Sequence, residues 1–339
     1  MSGSVDSSPA EVLVTWLHYD ESDPHTGGRL RDAGLTMRLS PRTGERTPDD
    51  VAALAHDAVG AIVSTDPFDA SVFERCPGLR VVARVGVGYD SIDLDAATAA
   101  GVVVTICPGA NEETVADHTL ALLLALVRRV VENDAAVRAG RWDRAGALTP
   151  WDLRGCTVGL VGYGVIGRAV GRRLAGFEPK LLVCDPVAEP QEGIELVELD
   201  ELLRRSEVVS LHAPLLAETE NLIGARELAL MRDDAILLNT SRGRLIDEDA
   251  LFVALRDGSL RGAALDVFAD EPPAGSPLLE LPNIVLSPHI GGISERSMAT
   301  MTRQATASVV DVLAGREPVG VLNPAALPAA LGRARSSAA

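Results

Sequence analysis

The chain has 339 residues, 47 % of them apolar, and a formal net charge of −17. A chain of this length is expected to form about two domains, each with its own hydrophobic core. So acidic a surface repels phosphate backbones, which excludes nucleic acid as a general partner, and an anionic small molecule would need a local basic pocket.

The lack of a signal-peptide pattern, the lack of a membrane-spanning run and the cysteine usage together predict a cytoplasmic protein without membrane contact. The first residues lack the basic-then-apolar pattern of a signal peptide, and the longest apolar run, at 120–127, is far shorter than the ~20 residues that span a bilayer. The four cysteines are scattered without a CxxC pair, so we expect buried free thiols and neither disulfides nor a metal site. The two chain ends, MSGSVDSSP and ALGRARSSAA, are expected to be disordered.

Apolar runs in the first third of the chain alternate with helical patterns. One predicted helix opens with Thr47-Pro48-Asp49-Asp50, in which a capping hydroxyl precedes a proline and two acids. Such alternation predicts a parallel sheet covered by helices on both faces. The predicted strands of this part are 12–17, 61–64, 81–85 and 102–106.

A long helical pattern follows from Glu112 to about Ala139 without a clear glycine break, and a second strand–helix series begins at Cys156. A last helix is predicted from about Ser294 to Leu313. The chain is therefore predicted to be α/β, with two doubly wound parallel-sheet domains of Rossmann-like or flavodoxin-like type. The strands predicted for the second series are 157–162, 181–185, 207–213, 235–241, 263–268 and 283–289.

The second series opens with a glycine-rich loop, in which Gly162, Gly164 and Gly167 form G-x-G-x-x-G between a strand and an amphipathic helix. Gly162 permits the tight turn, Gly164 lets the backbone approach a pyrophosphate, and Gly167 allows helix and strand to pack closely. The helix N-terminus adds free N–H groups and a positive dipole end. A glycine turn without a ligand is the alternative.

The next strand ends in Asp185, about 20 residues after the loop, as the dinucleotide fingerprint requires. A carboxylate here accepts hydrogen bonds from ribose hydroxyls and repels a 2′-phosphate. Because Pro186 and Val187 follow, with no arginine to bind that phosphate, the sequence predicts NAD rather than NADP as the cofactor.

Three titratable residues follow the carboxyl ends of predicted strands, where ligands of open α/β sheets bind. They are Arg242, Glu271 and His289. Taken singly, each has an ordinary interpretation as a surface ion-pair partner, a turn acid or a histidine in a turn. Together, behind a dinucleotide motif, they predict one reactive site.

Four segments, VGYGVIG, NTSRGRLIDEDAL, DVFADEPP and SPHIGG, resemble those of the D-isomer-specific 2-hydroxyacid dehydrogenases, and the resemblance extends over nearly the whole chain. It implies that Arg242, Glu271 and His289 are catalytic. His289 would take the hydroxyl proton as C2 gives a hydride to the nicotinamide. Glu271 would orient the imidazole, and Arg242 would bind the substrate carboxylate through its rigid fork of donors.

The same resemblance implies further contacts. Val87 and Gly88 would offer backbone N–H groups to the substrate carboxylate, and Arg84 and Arg144 match basic positions that serve a substrate phosphate. His212 is expected to support the cofactor, whereas His18, His25, His56 and His118 are interpreted as structural. The residues expected to line the cofactor are Val165, Ile166, His212, Ala213, Pro214, Thr240, Ser241, Asp266, Gly291 and Gly292.

The resemblance also implies a discontinuous substrate domain at 1–110 and 293–339, an NAD-binding domain at 111–292, a cleft between them, and a homodimer. The substrate is expected to be a small anionic 2-hydroxy or 2-keto acid. 3-Phosphoglycerate is the leading interpretation, although Ser64 and Thr65 stand where phosphoglycerate-using members carry an arginine, and Ser91 replaces a frequent asparagine. Glyoxylate or hydroxypyruvate reduction, phosphite oxidation, and an NAD(H)-sensing corepressor that binds proteins remain as alternatives.

Overall fold

The computed structural model describes residues 10–142, 144 and 149–336. The chain divides into two compact units. The first unit combines the residues up to Asn111 with those from Ser294 onward, and the second unit runs from Glu112 to Ile293. The predicted disorder of MSGSVDSSP falls outside the described residues. No helix of the described part of the chain is both long and apolar enough to cross a bilayer.

Each unit is built on a fully parallel sheet, which confirms the predicted α/β class. The five-stranded sheet of the first unit has the order β2-β1-β3-β4-β5, and the seven-stranded sheet of the second has the order β12-β11-β10-β9-β6-β7-β8. The strands are β1 Glu11–Val14, β2 Thr36–Leu39, β3 Ala58–Val63, β4 Val81–Arg84, β5 Val103–Thr105, β6 Thr157–Val161, β7 Lys180–Cys184, β8 Glu195–Leu196, β9 Val208–Leu211, β10 Ile236–Asn239, β11 Gly262–Leu265 and β12 Ile284–Leu286.

Helices cover both faces of each sheet. In β1, Val12 and Val14 enter one hydrophobic cluster and Leu13 enters the other, as the two-residue period of a strand requires. The helices are α1 Arg29–Asp32, α2 Pro48–Ala55, α3 Ala70–Arg75, α4 Leu94–Ala99, α5 Glu112–Val127, α6 Val130–Arg138, α7 Val165–Leu174, α8 Leu199–Arg205, α9 Ala225–Leu228, α10 Glu248–Asp257, α11 Glu295–Leu313 and α12 Leu327–Ser336.

The ten predicted strands are all present, shifted by a few residues at their ends. The two strands that were not predicted, β2 and β8, lie at sheet edges. Sequence TMRL of β2 has an exposed first and last residue, and β8 has only two residues. Both lack the continuous apolar run of a central parallel strand, and that run was the signal that identified the others.

The prediction of one helix from Glu112 to about Ala139 is wrong. The helix ends at Val127, and a second one begins at Val130 after Arg129, whose φ of 52° is left-handed. The Val127 carbonyl instead accepts a hydrogen bond from Trp151 N at 3.1 Å. The prediction relied on glycine to mark a break, whereas here an arginine adopts the left-handed conformation.

The predicted disorder of ALGRARSSAA is also wrong for its described residues, because α12 extends to Ser336 and buries Ala330 completely. The segment before α12 pairs with the edge strand β5. Ile106 N donates to Gly320 O, Leu322 N donates to Val104 O, and Asn323 Oδ1 accepts from Val104 N at 2.8 Å. The chain thereby covers one edge of the first sheet.

Candidate active site

The glycine loop after β6 combines two crowded positions with one open position. Gly162 has φ +91°, and a methyl group there would lie 2.6 Å from the carbonyl carbon of His212. A methyl group at Gly167 would lie 2.4 Å from Gly162 O. Gly164, which precedes α7, has nothing within 4 Å of that position. The protein itself therefore demands glycine at 162 and 167, whereas the space beside Gly164 is open to a ligand.

Asp185 lies just past β7 and is held by the backbone on both oxygens. Oδ2 accepts from Tyr163 N at 2.7 Å, and Oδ1 accepts from Val187 N at 2.8 Å. Burial opposes ionisation, but these backbone donors outweigh it and lower the pKa of Asp185 below its usual value. The residue is therefore a fixed carboxylate next to the glycine loop, which is the group expected to receive ribose hydroxyls.

His212 follows β9, and its backbone packs directly against Gly162. Its Nε2 lies 2.9 Å from Ser210 Oγ. Nδ1 is buried and has no partner among the described residues. Burial lowers the pKa of His212 to about 4, so the ring is neutral at ordinary pH. A neutral ring with one unused nitrogen under the loop fits support of a bound cofactor.

His289 and Glu271 form a direct pair. His289 Nδ1 lies 2.7 Å from Glu271 Oε2, and Phe268 N donates to Glu271 Oε1 at 3.1 Å. Because an ionised carboxylate only accepts, Nδ1 carries the proton, and the neutral imidazole has its lone pair on Nε2. Among the described residues, no hydrogen bond is made by Nε2. Both side chains are 38 % exposed, so this nitrogen is accessible to a substrate.

Arg242 stands just after β10, half-buried, and donates from Nη1 to Ser241 O at 2.7 Å. The next residue, Gly243, packs backbone to backbone on the segment that carries Glu271. A methyl group at Gly243 would lie 1.9 Å from the carbonyl carbon of Phe268. The loop of Arg242 is thereby fixed against the loop of Glu271.

The loop that carries His289 is fixed by Asp266, which is 1 % exposed. Its carboxylate accepts from Ile290 N at 3.0 Å and Gly291 N at 2.7 Å, and its carbonyl accepts from His289 N at 2.7 Å. Asp266, predicted to line the cofactor, thus directs its carboxylate at the histidine loop. Burial opposes ionisation of Asp266, but the donors from His118 and from this loop outweigh it and lower the pKa of Asp266.

The other predicted cofactor residues lie at the same carboxyl edge of the second sheet. Thr240 Oγ1 lies 2.9 Å from Thr119 Oγ1, and Ser241 Oγ donates to Leu211 O at 2.9 Å. A methyl group at Gly162 would lie 2.7 Å from Ala213 N, which places the segment after β9 against the glycine loop. The remaining residues predicted to line the cofactor lie on these loops or at the start of α7; they are Val165, Ile166, Pro214 and Gly292.

The predicted substrate residues are divided between the units. In the first unit, Arg84 ends β4 and its guanidinium donates to Val85 O beside Gly86, immediately before Val87 and Gly88. The backbone turns here, because Gly86 has φ +141°. Arg144 belongs to the second unit and is exposed.

Several residues that shape the site were not predicted. Besides Gly243, Glu248 Oε1 accepts from Ala269 N at 2.7 Å, and Asn239 Nδ2 donates to Arg242 O at 2.7 Å. His118, interpreted as structural, reaches Ser287 and Asp266. These residues hold loops rather than face solvent, and no sequence spacing marks that role. Three of them, Asn239, Gly243 and Glu248, lie in the segment NTSRGRLIDEDAL, whose family resemblance was the available signal.

Comparisons with known proteins assign the chain to a family. The model of the NAD-binding domain of D-isomer specific 2-hydroxyacid dehydrogenases matches residues 120–291. Glyoxylate reductase of Korarchaeum cryptofilum is 45 % identical over 273 residues, which are 78 % of this chain and 82 % of that protein. D-3-phosphoglycerate dehydrogenase of Mycobacterium leprae is 43 % identical over 256 residues, which are 74 % of this chain and 48 % of that protein.

A Thermus thermophilus protein of known crystal structure superposes with a TM-score of 0.85 at 42 % identity, covering 92 % of this chain and 99 % of that one. These matches confirm the predicted family, enzyme class and cofactor. The chain therefore belongs to the D-isomer specific 2-hydroxyacid dehydrogenase family and is an NAD-dependent oxidoreductase.

Proposed function

We propose that His289, Glu271 and Arg242 catalyse the interconversion of a D-2-hydroxy acid and its 2-keto acid. The observation that carries this assignment is the 2.7 Å contact between His289 Nδ1 and Glu271 Oε2, which leaves Nε2 for the substrate. NAD supplies the hydride acceptor or donor when it is bound.

The residues of the chain manage the proton and the negative charge. In oxidation, Nε2 of neutral His289 takes the hydroxyl proton as hydride leaves C2, and Glu271 stabilises the resulting imidazolium. In reduction, the imidazolium returns the proton to the carbonyl oxygen. Arg242 binds the substrate carboxylate and polarises the reacting oxygen. In this proposal the second unit binds NAD and the first unit, through Val87 and Gly88, binds the substrate.

For the substrate we propose a short 2-keto acid of the glyoxylate and hydroxypyruvate type. The support is the similarity to glyoxylate reductases, which match over about four-fifths of both proteins. The experiment is a panel of glyoxylate, hydroxypyruvate, pyruvate, phenylpyruvate and 3-phosphohydroxypyruvate with NADH and with NADPH. We expect the highest kcat/KM for glyoxylate or hydroxypyruvate with NADH, because Asp185 disfavours a 2′-phosphate. No turnover of any keto acid would favour an NAD(H)-sensing binding protein.

A second substrate, 3-phosphohydroxypyruvate, is supported by Arg42. Thr65 lacks a cationic side chain of its own, but Arg42 Nη1 donates to Thr65 Oγ1, and Arg42 N donates to Thr15 O at 2.9 Å beyond the end of β1. Nearby Arg46 is paired with the buried Asp66 at 2.9 Å, whereas no ion pair of Arg42 is found among the described residues. Arg42 is therefore a cation available to a second anionic group at this sheet edge.

A comparison of two substrates separates the two candidate functions. Hydroxypyruvate and 3-phosphohydroxypyruvate differ only in the phosphate group. If the phosphorylated acid is the substrate, Arg42→Gln should lower its kcat/KM at least about tenfold, the scale of one lost charge-assisted contact. The value for hydroxypyruvate should not change. An equal effect on both would remove Arg42 from phosphate recognition.

We further propose a homodimer in a cytoplasmic setting. α6 and the residues after it expose four large apolar side chains, Val130, Val131, Val137 and Trp142. Several exposed apolar side chains so close together in the chain favour an interface with another protein surface. The free cysteines suit a reducing compartment. Light scattering on the purified protein, with Val137→Glu as the disrupting variant, tests the association.

A further inference from the structure

Three side chains of the second unit form a polar network beneath the loop of His289. Ser287 Oγ lies 2.6 Å from Asp266 Oδ1. His118, on α5, places Nε2 2.9 Å from Ser287 Oγ and 3.2 Å from Asp266 Oδ1. His118 therefore joins a helix far away in sequence to both groups that anchor the loop.

The loop needs such anchoring because of its backbone. His289 has φ 53°, in the left-handed region that L-residues other than glycine rarely adopt. Such a conformation persists only when the surroundings hold it. Here residues 289, 290 and 291 all donate their N–H groups to Asp266, the first to its carbonyl and the others to its carboxylate. The orientation of Asp266 therefore decides the conformation of His289.

The hydrogen bonds of the network fix one arrangement of protons. Asp266 is ionised and can only accept, so the Ser287 hydroxyl donates to Oδ1. Ser287 Oγ can then accept from His118, which must carry its proton on Nε2. The His118 ring also packs on the loop, because a methyl group at Gly291 would lie 3.3 Å from His118 Cδ2 and 2.7 Å from Asp266 Oδ2.

We propose that His118 is a positioning residue for the reaction: its Nε2–H fixes Ser287 and Asp266, which hold His289 in its left-handed conformation against Glu271. This inference rests on the role of His289 in proton transfer proposed above. Among the described residues, His118 makes no hydrogen bond with Glu271 or His289, so it acts only through the loop.

The first test compares two substitutions of the same residue. His118→Phe keeps a ring but removes the donor, whereas His118→Gln offers an amide N–H close to the position of Nε2. We expect His118→Phe to lower kcat for keto-acid reduction by up to about 10²-fold, the effect of a misplaced reacting group, with KM for NADH unchanged. His118→Gln should recover most of kcat. The exposed histidine variant His56→Gln is the control and should match wild type.

The second test asks whether His118 acts through His289. In a His289→Ala background, His118→Phe should cost no further activity, because residues that act as one unit are not additive. Ser287→Ala should show the same loss and the same non-additivity, and it carries the test if His118→Phe fails to fold.

Three outcomes overturn the inference: wild-type kcat in His118→Phe, an equal loss in His118→Gln, or a full additional loss in the His289→Ala background. Wild-type kcat in His289→Ala itself would instead contradict the proposed function, and the inference with it. The single variant His289→Ala therefore distinguishes failure of the proposed function from failure of the inference.

Discussion

Two loops at the carboxyl edge of the second sheet are constructed in opposite ways. The glycine loop at 162–167 is shaped by backbone crowding: Gly162 and Gly167 leave no room for a side chain, and Gly164 faces open space. The histidine loop at 287–291 is shaped by side chains from other elements, namely Asp266 after β11 and His118 on α5. A loop shaped by glycines can be recognised from its local sequence. A loop anchored by distant side chains cannot.

The largest effect is expected at the tip of the anchored loop. His289→Ala should lower kcat by on the order of 10²–10⁴, the usual contribution of general acid–base catalysis. Single-turnover reduction of the best keto acid measures it, with NADH binding by fluorescence as the control. A loss below tenfold would mean that the anchored loop does not carry the proton-transfer group.

Arg242→Lys should be the next most harmful change, although it keeps the charge. A point ammonium cannot reproduce the planar fork that grips a carboxylate and the reacting oxygen, so we expect a loss in turnover of about 10²-fold, the scale of a misoriented substrate. Steady-state kinetics with saturating NADH measure it. Turnover close to wild type would place Arg242 outside the site.

Two alanine substitutions in the glycine loop separate ligand binding from backbone crowding. Gly164→Ala should fold normally, because no protein atom lies within 4 Å, yet weaken NADH binding by about tenfold or more if the cofactor occupies that space. Gly167→Ala should instead lower the melting temperature, since its methyl group would lie 2.4 Å from Gly162 O. Calorimetry and NADH titration on both variants separate the effects. Unchanged NADH affinity in Gly164→Ala would contradict this location of the pyrophosphate.

Glu271→Gln should move the pH profiles to lower pH rather than abolish activity, because the imidazolium of His289 loses a neighbouring negative charge. The amide keeps a polar group at His289 Nδ1 but no longer stabilises the imidazolium. Oxidation needs neutral His289 and should persist to lower pH, while reduction needs the protonated ring and should fade at lower pH than in wild type. The measurement is kcat/KM against pH in both directions. If the pH profiles of the variant coincide with those of wild type in both directions, Glu271 does not act on His289.

The last effect concerns stability rather than turnover. The pKa of His212 is lowered to about 4 by burial, from an ordinary 6.5. The unfolded chain therefore binds this proton more readily, and the stabilising contribution is intact above pH 6.5 and lost as the pH falls towards 4. The free energy of unfolding should fall with acid more steeply in wild type than in His212→Asn, by up to about 3 kcal/mol over this window. Parallel denaturant titrations test it, and equal slopes would contradict the burial effect.

The sequence predicted the strands that form continuous apolar runs and the three residues that the structure brings to one sheet edge. It could not predict that Arg129 divides a helix, because a left-handed arginine leaves no compositional mark. The short edge strand β8 was missed because two residues form no apolar run. His118 was interpreted as structural because its partners, Ser287 and Asp266, lie about 150 to 170 residues away in sequence, and only the folded sheet brings them together.

The pairing of Gly320–Asn323 with β5 affects more than the shape of the first unit. An uncovered edge strand of three buried valine and threonine residues is a template on which another chain can add its own strand. By occupying the N–H and C=O groups of Val104, Leu322 and Asn323 remove that template. The segment between α11 and α12 thus removes one edge on which strand addition by another chain could begin, a task separate from catalysis.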